Sequence, residues 1–273
     1  MHTTASDGRS TPAQLVAEAA ARGLTTMAVT DHDTTGAWDE LRPAADAAGI
    51  TCVPGIEITA VADGKDVHML GYFFDRNAPE LVAFLERQRI DRRRRVKEIG
   101  ERLARLGVPV DLERATEAAG HLKGRAWGRP IVAAALVEAG HVADFREAFD
   151  KYLAEGRPAF IERLGVAPSE VVALVARAGG LTSMAHPGKT QKDHLIADLV
   201  AAGLAGIEVY HPDHDAADTV RYRQMADTFN VIATGGSDYH GPGSGRDQAL
   251  GFVHLPAADF ARLAERAGWP DHA

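Results

Sequence analysis

The sequence predicts an α/β shell, sheet-like or barrel-like, with metal ligands gathered at one end. Three observations lead there. Short apolar runs alternate with amphipathic stretches, as in a parallel sheet or barrel wrapped by helices. The runs stop abruptly at His, Asp or Glu, with Gly or Pro close behind: Ala28-Val29-Thr30-Asp31-His32-Asp33, Met184-Ala185-His186-Pro187, Tyr210-His211-Pro212 and Ser237-Asp238-Tyr239-His240-Gly241. Finally, twelve histidines stand beside a single cysteine, so imidazole and carboxylate are the available ligands.

Taken in order, Ser10-Thr11-Pro12 is a helix start, and the helix runs to about Arg22 before Gly23 stops it. Thr26–Val29 is the first strand. Asp39–Ala48 is a helix interrupted or begun late at Pro43. Ile50–Val53 is the next strand, and a hairpin-like turn at Asp63-Gly64 leads into Val67–Phe73. From Pro79 to Glu155 the pattern becomes helical, with Leu81, Phe84, Leu85, Val96, Ile99 and Leu103 at helical spacing. Asp111 caps Leu112–Ala119, and Pro130–Ala139 and Val142–Leu153 follow as further helices. Strand–helix alternation resumes with a strand at Ala159–Ile161. Pro168–Arg177, Asp193–Ala202 and Thr219–Phe229 are helices, and 180–185, 206–210 and 231–234 are strands. The domain expectation is therefore a discontinuous barrel, 1–76 and 156–273, with a helical insert, 77–155, capping the site.

Composition narrows the function classes. The formal charge of −8 argues against a broadly basic surface for coating nucleic acid. One cysteine excludes an internal disulfide framework and favours the cytoplasm. No apolar run approaches the ~18–20 residues that cross a bilayer. The N-terminal residues do not read as a signal peptide. The Arg92-Arg93-Arg94-Arg95 run reads as an exposed helix face paired with Glu86, Asp91, Glu98 and Glu101.

In barrels, chemistry gathers at the C-terminal ends of the strands. Here those ends carry His32, Glu57, His68, His186, His211, Asp238 and His240, and the N-terminal stretch adds His2 and Asp7. Such a mixed nitrogen and oxygen set suits zinc, manganese or iron.

The ordered motifs His2-Thr-Thr-Ala-Ser-Asp7-Gly8, Thr30-Asp31-His32-Asp33, Gly55-Ile56-Glu57, His68-Met-Leu-Gly-Tyr, Gly128-Arg129-Pro130, Ala185-His186-Pro187 and Gly236-Ser237-Asp238-Tyr239-His240 resemble those of the PHP (polymerase and histidinol phosphatase) superfamily. Within it they are most similar to the metal-dependent phosphoesterases with a helical insert, which include nucleoside 3',5'-bisphosphate phosphatases and a 5'-to-3' exoribonuclease. The resemblance implies a distorted (β/α)7, TIM-like barrel holding two or three divalent ions. It implies His2, Asp7, His32, Glu57, His68, His186, Asp238 and His240 as ligands, with Glu57 bridging. The family opens His-x-His; Met1 falls on the x, so one nitrogen ligand of that pattern has no counterpart in this sequence.

The expected reaction is phosphoester hydrolysis by a hydroxide bridging two metals. His211 would contact phosphate or protonate the leaving oxygen, and Asp33 would assist by orienting an imidazole. Arg129 would grip a second phosphate, with Lys123, Arg125 and Lys189 as further candidates. The expected substrate is a small phosphorylated compound, a nucleotide with two phosphates or the 5' end of short RNA, with no membrane and no obligate protein partner. The residues leave two alternatives open: a sugar phosphate or cyclic ribose phosphate as substrate, or a metal-binding module without turnover.

Overall fold

The computed structural model describes residues 1–118 and 126–269. Six strands form one curled sheet among them, in the order β1 to β6: Thr26–Val29, Thr51–Ala62, Lys65–Tyr72, Leu181–Met184, Gly206–Tyr210 and Ile232–Gly235. β1 and β2 are parallel, as are β4 with β5 and β5 with β6. β3 is antiparallel to both its neighbours, so the sheet is mixed. The reason is local. Asp63 and Gly64 both take left-handed φ, 51° and 73°, the form of a two-residue hairpin turn, and Ala62 pairs directly with Lys65.

The helices are α1 (Pro12–Ala21), α2 (Trp38–Ala47), α3 (Pro79–Arg105), α4 (Leu112–Ala118), α5 (Arg129–Glu138), α6 (Phe145–Ala148), α7 (Pro168–Arg177), α8 (Pro187–Thr190), α9 (Ile196–Ala201), α10 (Ala216–Thr228) and α11 (Ala257–Arg266). α1 starts where the sequence says: the Thr11 hydroxyl accepts from Gln14 N–H, and the Gln14 side chain accepts from Thr11 N–H, a reciprocal cap. α2 runs through Pro43 without a break. Pro43 and Asp39 are both exposed, so the carbonyl left without its helical donor can face water. α3 to α6 lie between β3 and β4, with a core of their own around Ile99, Leu103, Val132, Leu136 and Leu153. The main sheet core gathers Ile56, Ile58, Met69, Met184, Ile207 and Val209.

Several readings of the sequence need correction. Ala159–Ile161 is not a strand. Arg102 donates to the Phe160 carbonyl at 2.6 Å, and Arg95 donates to the Ile161 carbonyl at 3.0 and 3.2 Å. Those acceptors are taken by α3 rather than by the sheet. The arginine run is correspondingly not a solvated face: Arg92 and Arg95 are 7% and 5% exposed, and only Arg94 pairs as expected, with Asp91 and Glu98. Arg93 lies over the Trp127 ring. The stretch expected as one helix over Val142–Leu153 is α6 followed by a π-helical turn at Phe149–Leu153. α11 was not legible at all. Lys123 and Arg125 lie outside the described residues.

β1 and β6 are the two ends of the sheet, and the N-terminal residues stand between them. Thr30 N–H donates to the Met1 carbonyl, and His2 N–H donates to the Tyr239 carbonyl, each at 2.8 Å. This short bridge brings His2 over the C-terminal ends of the strands.

The helical segment is tied to the end of β1 by a buried ion cluster. Arg92 of α3 donates through Nε to Asp33 Oδ2 at 2.7 Å, Arg163 donates to the same oxygen at 3.1 Å, and Thr59 N–H donates to Asp33 Oδ1 at 2.8 Å. Burial opposes the charge on Asp33, but the two guanidiniums prevail and hold its carboxyl down at about 2. A depressed carboxylate contributes stability above its unfolded pKa of about 4, and loses it as pH falls through the folded value. The shift is worth about 2 kcal/mol. Asp33→Asn should therefore destabilise the chain by roughly 3–5 kcal/mol at pH 7, because two buried cations lose their partner. The gap from wild type should narrow as pH falls from about 4 toward 2. Urea unfolding across that range reads both effects.

Candidate metal centre

Strand ends and mid-strand positions converge on one cluster: Glu57 and His68, expected at strand ends, lie inside β2 and β3, which run on to the Asp63-Gly64 hairpin. The parallel bridge His32↔Glu57 sets the end of β1 beside β2, with Asp33 N–H donating to the Glu57 carbonyl at 2.9 Å. Gly55 makes this approach feasible, since a Cβ there would lie 2.6 Å from the Val29 carbonyl oxygen. His68 reaches in from β3, where it pairs with Thr59. His186 follows β4 and Asp238 follows β6. Each has left-handed φ (27° and 42°), as has Asp33 (52°), and strain of this kind collects at functional sites.

Five imidazoles and three carboxylates meet here. His2, Asp7, His32 and His240 form one group able to hold a metal ion, His32, Glu57 and His68 a second, and His2, Glu57 and Asp238 a third. His186 Nε2 lies 3.3 Å from Glu57 Oε1. Glu57 thus belongs to two groups and touches a further imidazole. The contacts are short but are not hydrogen bonds. His2 Nε2 is 3.1 Å from both Glu57 Oε2 and Asp238 Oδ1, and His68 Nδ1 is 2.6 Å from Glu57 Oε1. Yet both His2 nitrogens, His32 Nδ1 and His68 Nδ1 are buried with no hydrogen-bond partner. Buried polar atoms are normally satisfied. Lone pairs aimed at a common centre are satisfied by a cation, and the donor set fits a divalent one.

The charges agree. Burial disfavours a charged His2, but Asp238 and Glu57 push its pKa up to about 10. His32 goes the other way, lowered to about 3 chiefly by burial. Burial works against ionised Glu57, Asp7 and Asp238, and surrounding histidines overcome it, holding all three below the usual carboxylate range. Seven imidazole rings form a continuous arc, His240, His2, His32, His68, His186, His211 and His214, with neighbouring centroids 4.1 to 5.4 Å apart.

His211 is buried beside the cluster, with Nε2 3.4 Å from Asp238 Oδ2. Asp213 N–H donates to its Nδ1 at 3.1 Å, and burial lowers its pKa. The structure does not bring Asp33 or Arg129 to the place expected for them. Asp33 is bound up with Arg92 and Arg163, so it is not free to orient an imidazole or move a proton. Arg129 sits over the Phe149 and Phe160 rings, donates to the Leu153 carbonyl at 3.3 Å and pairs with Asp66 at 3.6 Å. It serves the helical segment's packing.

A cleft of about 580 Å³ opens from the cluster toward α5. Among the described residues its cations are Arg9, Arg92, Lys189 and Arg246. Arg246 was missed in the sequence. It contacts Asp238 and His211 and donates to Asp213 at 2.6 Å. Its glycine-rich setting, Gly241-Pro-Gly-Ser-Gly245, was the only signal. Glu208 was missed too. It is buried on β5, accepts from His186 N–H at 2.7 Å, and is pushed up to about 7 by burial.

Imidazoles and carboxylates gathered on one curled sheet, beside a cleft that arginine and lysine side chains help to line, define a metal-dependent hydrolase of phosphate esters. Comparison with known proteins agrees. A PHP domain matches over residues 1–92. The chain is 35% identical to a phosphoribosyl 1,2-cyclic phosphate 1,2-diphosphodiesterase of Eggerthella lenta, over 94% of this chain and 98% of the relative. It is 34% identical to a 3',5'-nucleoside bisphosphate phosphatase of Chromobacterium violaceum, over 89% of this chain and 87% of the relative. A crystal structure from Bifidobacterium adolescentis, provisionally assigned as a metal-dependent phosphoesterase, superposes with a TM-score of 0.90 at 32% identity, covering 97% of this chain and 94% of that one. The chain belongs to the PHP family of metal-dependent phosphoesterases.

Because Glu57 is shared between groups, Glu57→Ala should strip more metal than His68→Ala, which touches one group. Elemental analysis of protein purified without chelator checks this.

Proposed function

We propose that the chain hydrolyses a phosphate monoester of a nucleotide carrying two phosphates, or of the 5' end of a short RNA. The carrying observation is the cleft. Arg9, Lys189 and Arg246 line it near the cluster, while Ile131 and Ala134 of α5 and Phe145 of α6 give it an apolar side. Phosphates suit the first wall and a base the second. His2, Asp7, His32, Glu57, His68, His186, Asp238 and His240 would hold two or three ions of zinc, manganese or iron. Bound ions would activate water and neutralise phosphoryl oxygens.

The chain's own residues do the rest. His211, neutral through burial and accepting from Asp213 N–H at Nδ1, carries its proton on Nε2 and would give a hydrogen bond to a phosphoryl oxygen rather than a proton to the leaving oxygen. Arg246 is the best-placed grip for a phosphate, because its guanidinium already reaches the carboxylate end of the cluster. Arg9 also lines the cleft and is steadied by the Pro242 carbonyl at 3.2 Å, in the same loop that carries Arg246.

The same reading takes 77–155 as an insert roofing the site, and 1–76 with 156–273 as the barrel. The gap between β1 and β6, which Met1 and His2 bridge, is the place for a seventh strand. No helix among the described residues is long and apolar enough to cross a membrane, in keeping with work in the cytoplasm on a small diffusible substrate.

A second reading rests on the Eggerthella relative, whose name gives a cyclic phosphoribosyl diester as its substrate. Adenosine 3',5'-bisphosphate, a 5'-phosphorylated trinucleotide and a ribose 1,2-cyclic phosphate, assayed side by side with manganese, separate the two. The bisphosphate should turn over fastest; a tenfold preference for the cyclic diester would replace the first reading with the second. Arg246→Ala should raise KM for the bisphosphate by roughly 10–100-fold, the value of a charge-assisted contact, while Arg129→Ala should leave KM nearly unchanged.

A further inference from the structure

The ligands of the cluster fall into two mechanical classes. Glu57 and His68 sit within the paired strands β2 and β3, and His186 follows β4 directly. His2 and Asp7 sit on the first eleven residues, which have no regular secondary structure and lead into α1. Something must hold that loop in register with the sheet.

Asp31 does so by geometry. It is 1% exposed, immediately before His32. Its Oδ1 accepts from Thr3 N–H at 2.7 Å and from the Ser6 hydroxyl at 2.6 Å, and its Oδ2 accepts from the Thr3 hydroxyl at 2.6 Å. Thr3 then organises the rest. Its hydroxyl accepts from Ala5 N–H at 3.0 Å, and its carbonyl accepts from Ser6 and Gly8 N–H at 3.1 and 2.9 Å. Gly8 closes the loop so tightly that a Cβ there would stand 2.3 Å from the His2 carbonyl oxygen. His2 and Asp7 are the neighbours of the two anchored residues, Thr3 and Ser6.

We propose that Asp31 is a positioning residue that builds the loop side of the metal centre: it fixes His2 and Asp7 against the sheet, and touches no metal itself. Its carboxylate works as a two-pronged acceptor for the loop rather than as a ligand. It follows that metal positions drawing on His2 and Asp7 depend on Asp31, and that the position made by Glu57, His68 and His32 does not. This rests on the reading of the cluster as a metal centre.

The test is a manganese(II) titration of metal-free protein, read by electron paramagnetic resonance, alongside hydrogen exchange of the same metal-free protein. Asp31→Ala should weaken one class of manganese site by ~10–100-fold, leave the other within about twofold, and speed amide exchange across residues 3–8. Asp31→Asn keeps an oxygen for Thr3 N–H and the Ser6 hydroxyl, and should recover most of the lost affinity. Equal weakening of all manganese sites, equal defects in the Asn and Ala variants, or unchanged exchange at 3–8 would each overturn the proposal. Should Asp31→Ala not fold, Ser6→Ala removes one of the three anchoring bonds; it should weaken the same class severalfold, and no effect there counts against the anchor. A wild-type chain that takes up no manganese would sink the metal reading alone, and the exchange experiment would still decide whether Asp31 holds the loop.

Discussion

Three carboxylates and five imidazoles gathered in one place, with His2, Glu57 and His186 buried among them, are the constraint the rest of the molecule answers to. Ionised groups in a low-dielectric setting are costly unless paired. Histidines around Glu57, Asp7 and Asp238 favour their ionised forms, and the same carboxylates push the pKa of His2 up. A divalent ion would offset the same negative charge, and its binding would be linked to proton release because imidazole binds metal deprotonated. The strained backbones of His186 and Asp238 are tolerable in the same economy, since each is over-determined by neighbours: Glu208 beneath His186, and His2, His211 and Arg246 around Asp238.

Much of the centre was legible because its grammar is local. A strand end that breaks from apolar residues into His or Asp announces itself, and every expected ligand lies in the cluster or in direct contact with it. The hairpin at Asp63-Gly64 was equally plain, as turn chemistry depends on two residues. What failed was whatever depended on distant partners. Four successive arginines look like a solvated face until loop carbonyls and Asp33 arrive to bury two of them. Ala159–Ile161 has strand composition, but its carbonyls were claimed by α3. Arg129 lay in the expected motif and turned toward Phe149 and Phe160 instead, whereas Arg246, in a loop with no periodicity, came to the site.

The helical segment and the sheet are not merely adjacent. Arg92 is bonded to Asp33, to the Trp127 carbonyl at 3.0 Å and to the edge of the cleft at once. Movement of α3 would be felt at the residue next to His32, because Arg92 ties that helix to Asp33. Interfaces of this kind resist gradual deformation.

Three consecutive residues thus serve three different neighbours: Asp31 the N-terminal loop, His32 the cluster, Asp33 the helical segment. A length change anywhere in that tripeptide would put all three out of register together. The Gly241–Gly245 stretch is different in kind, since its glycines adopt left-handed φ at 241, 243 and 245 and most of them are not packed into the core. Lineages exploring new substrates have freedom to lengthen or shorten that stretch, and almost none at Asp31-His32-Asp33. Specificity in this fold can drift by insertion and deletion in that stretch, while Asp31-His32-Asp33 is locked to a fixed spacing.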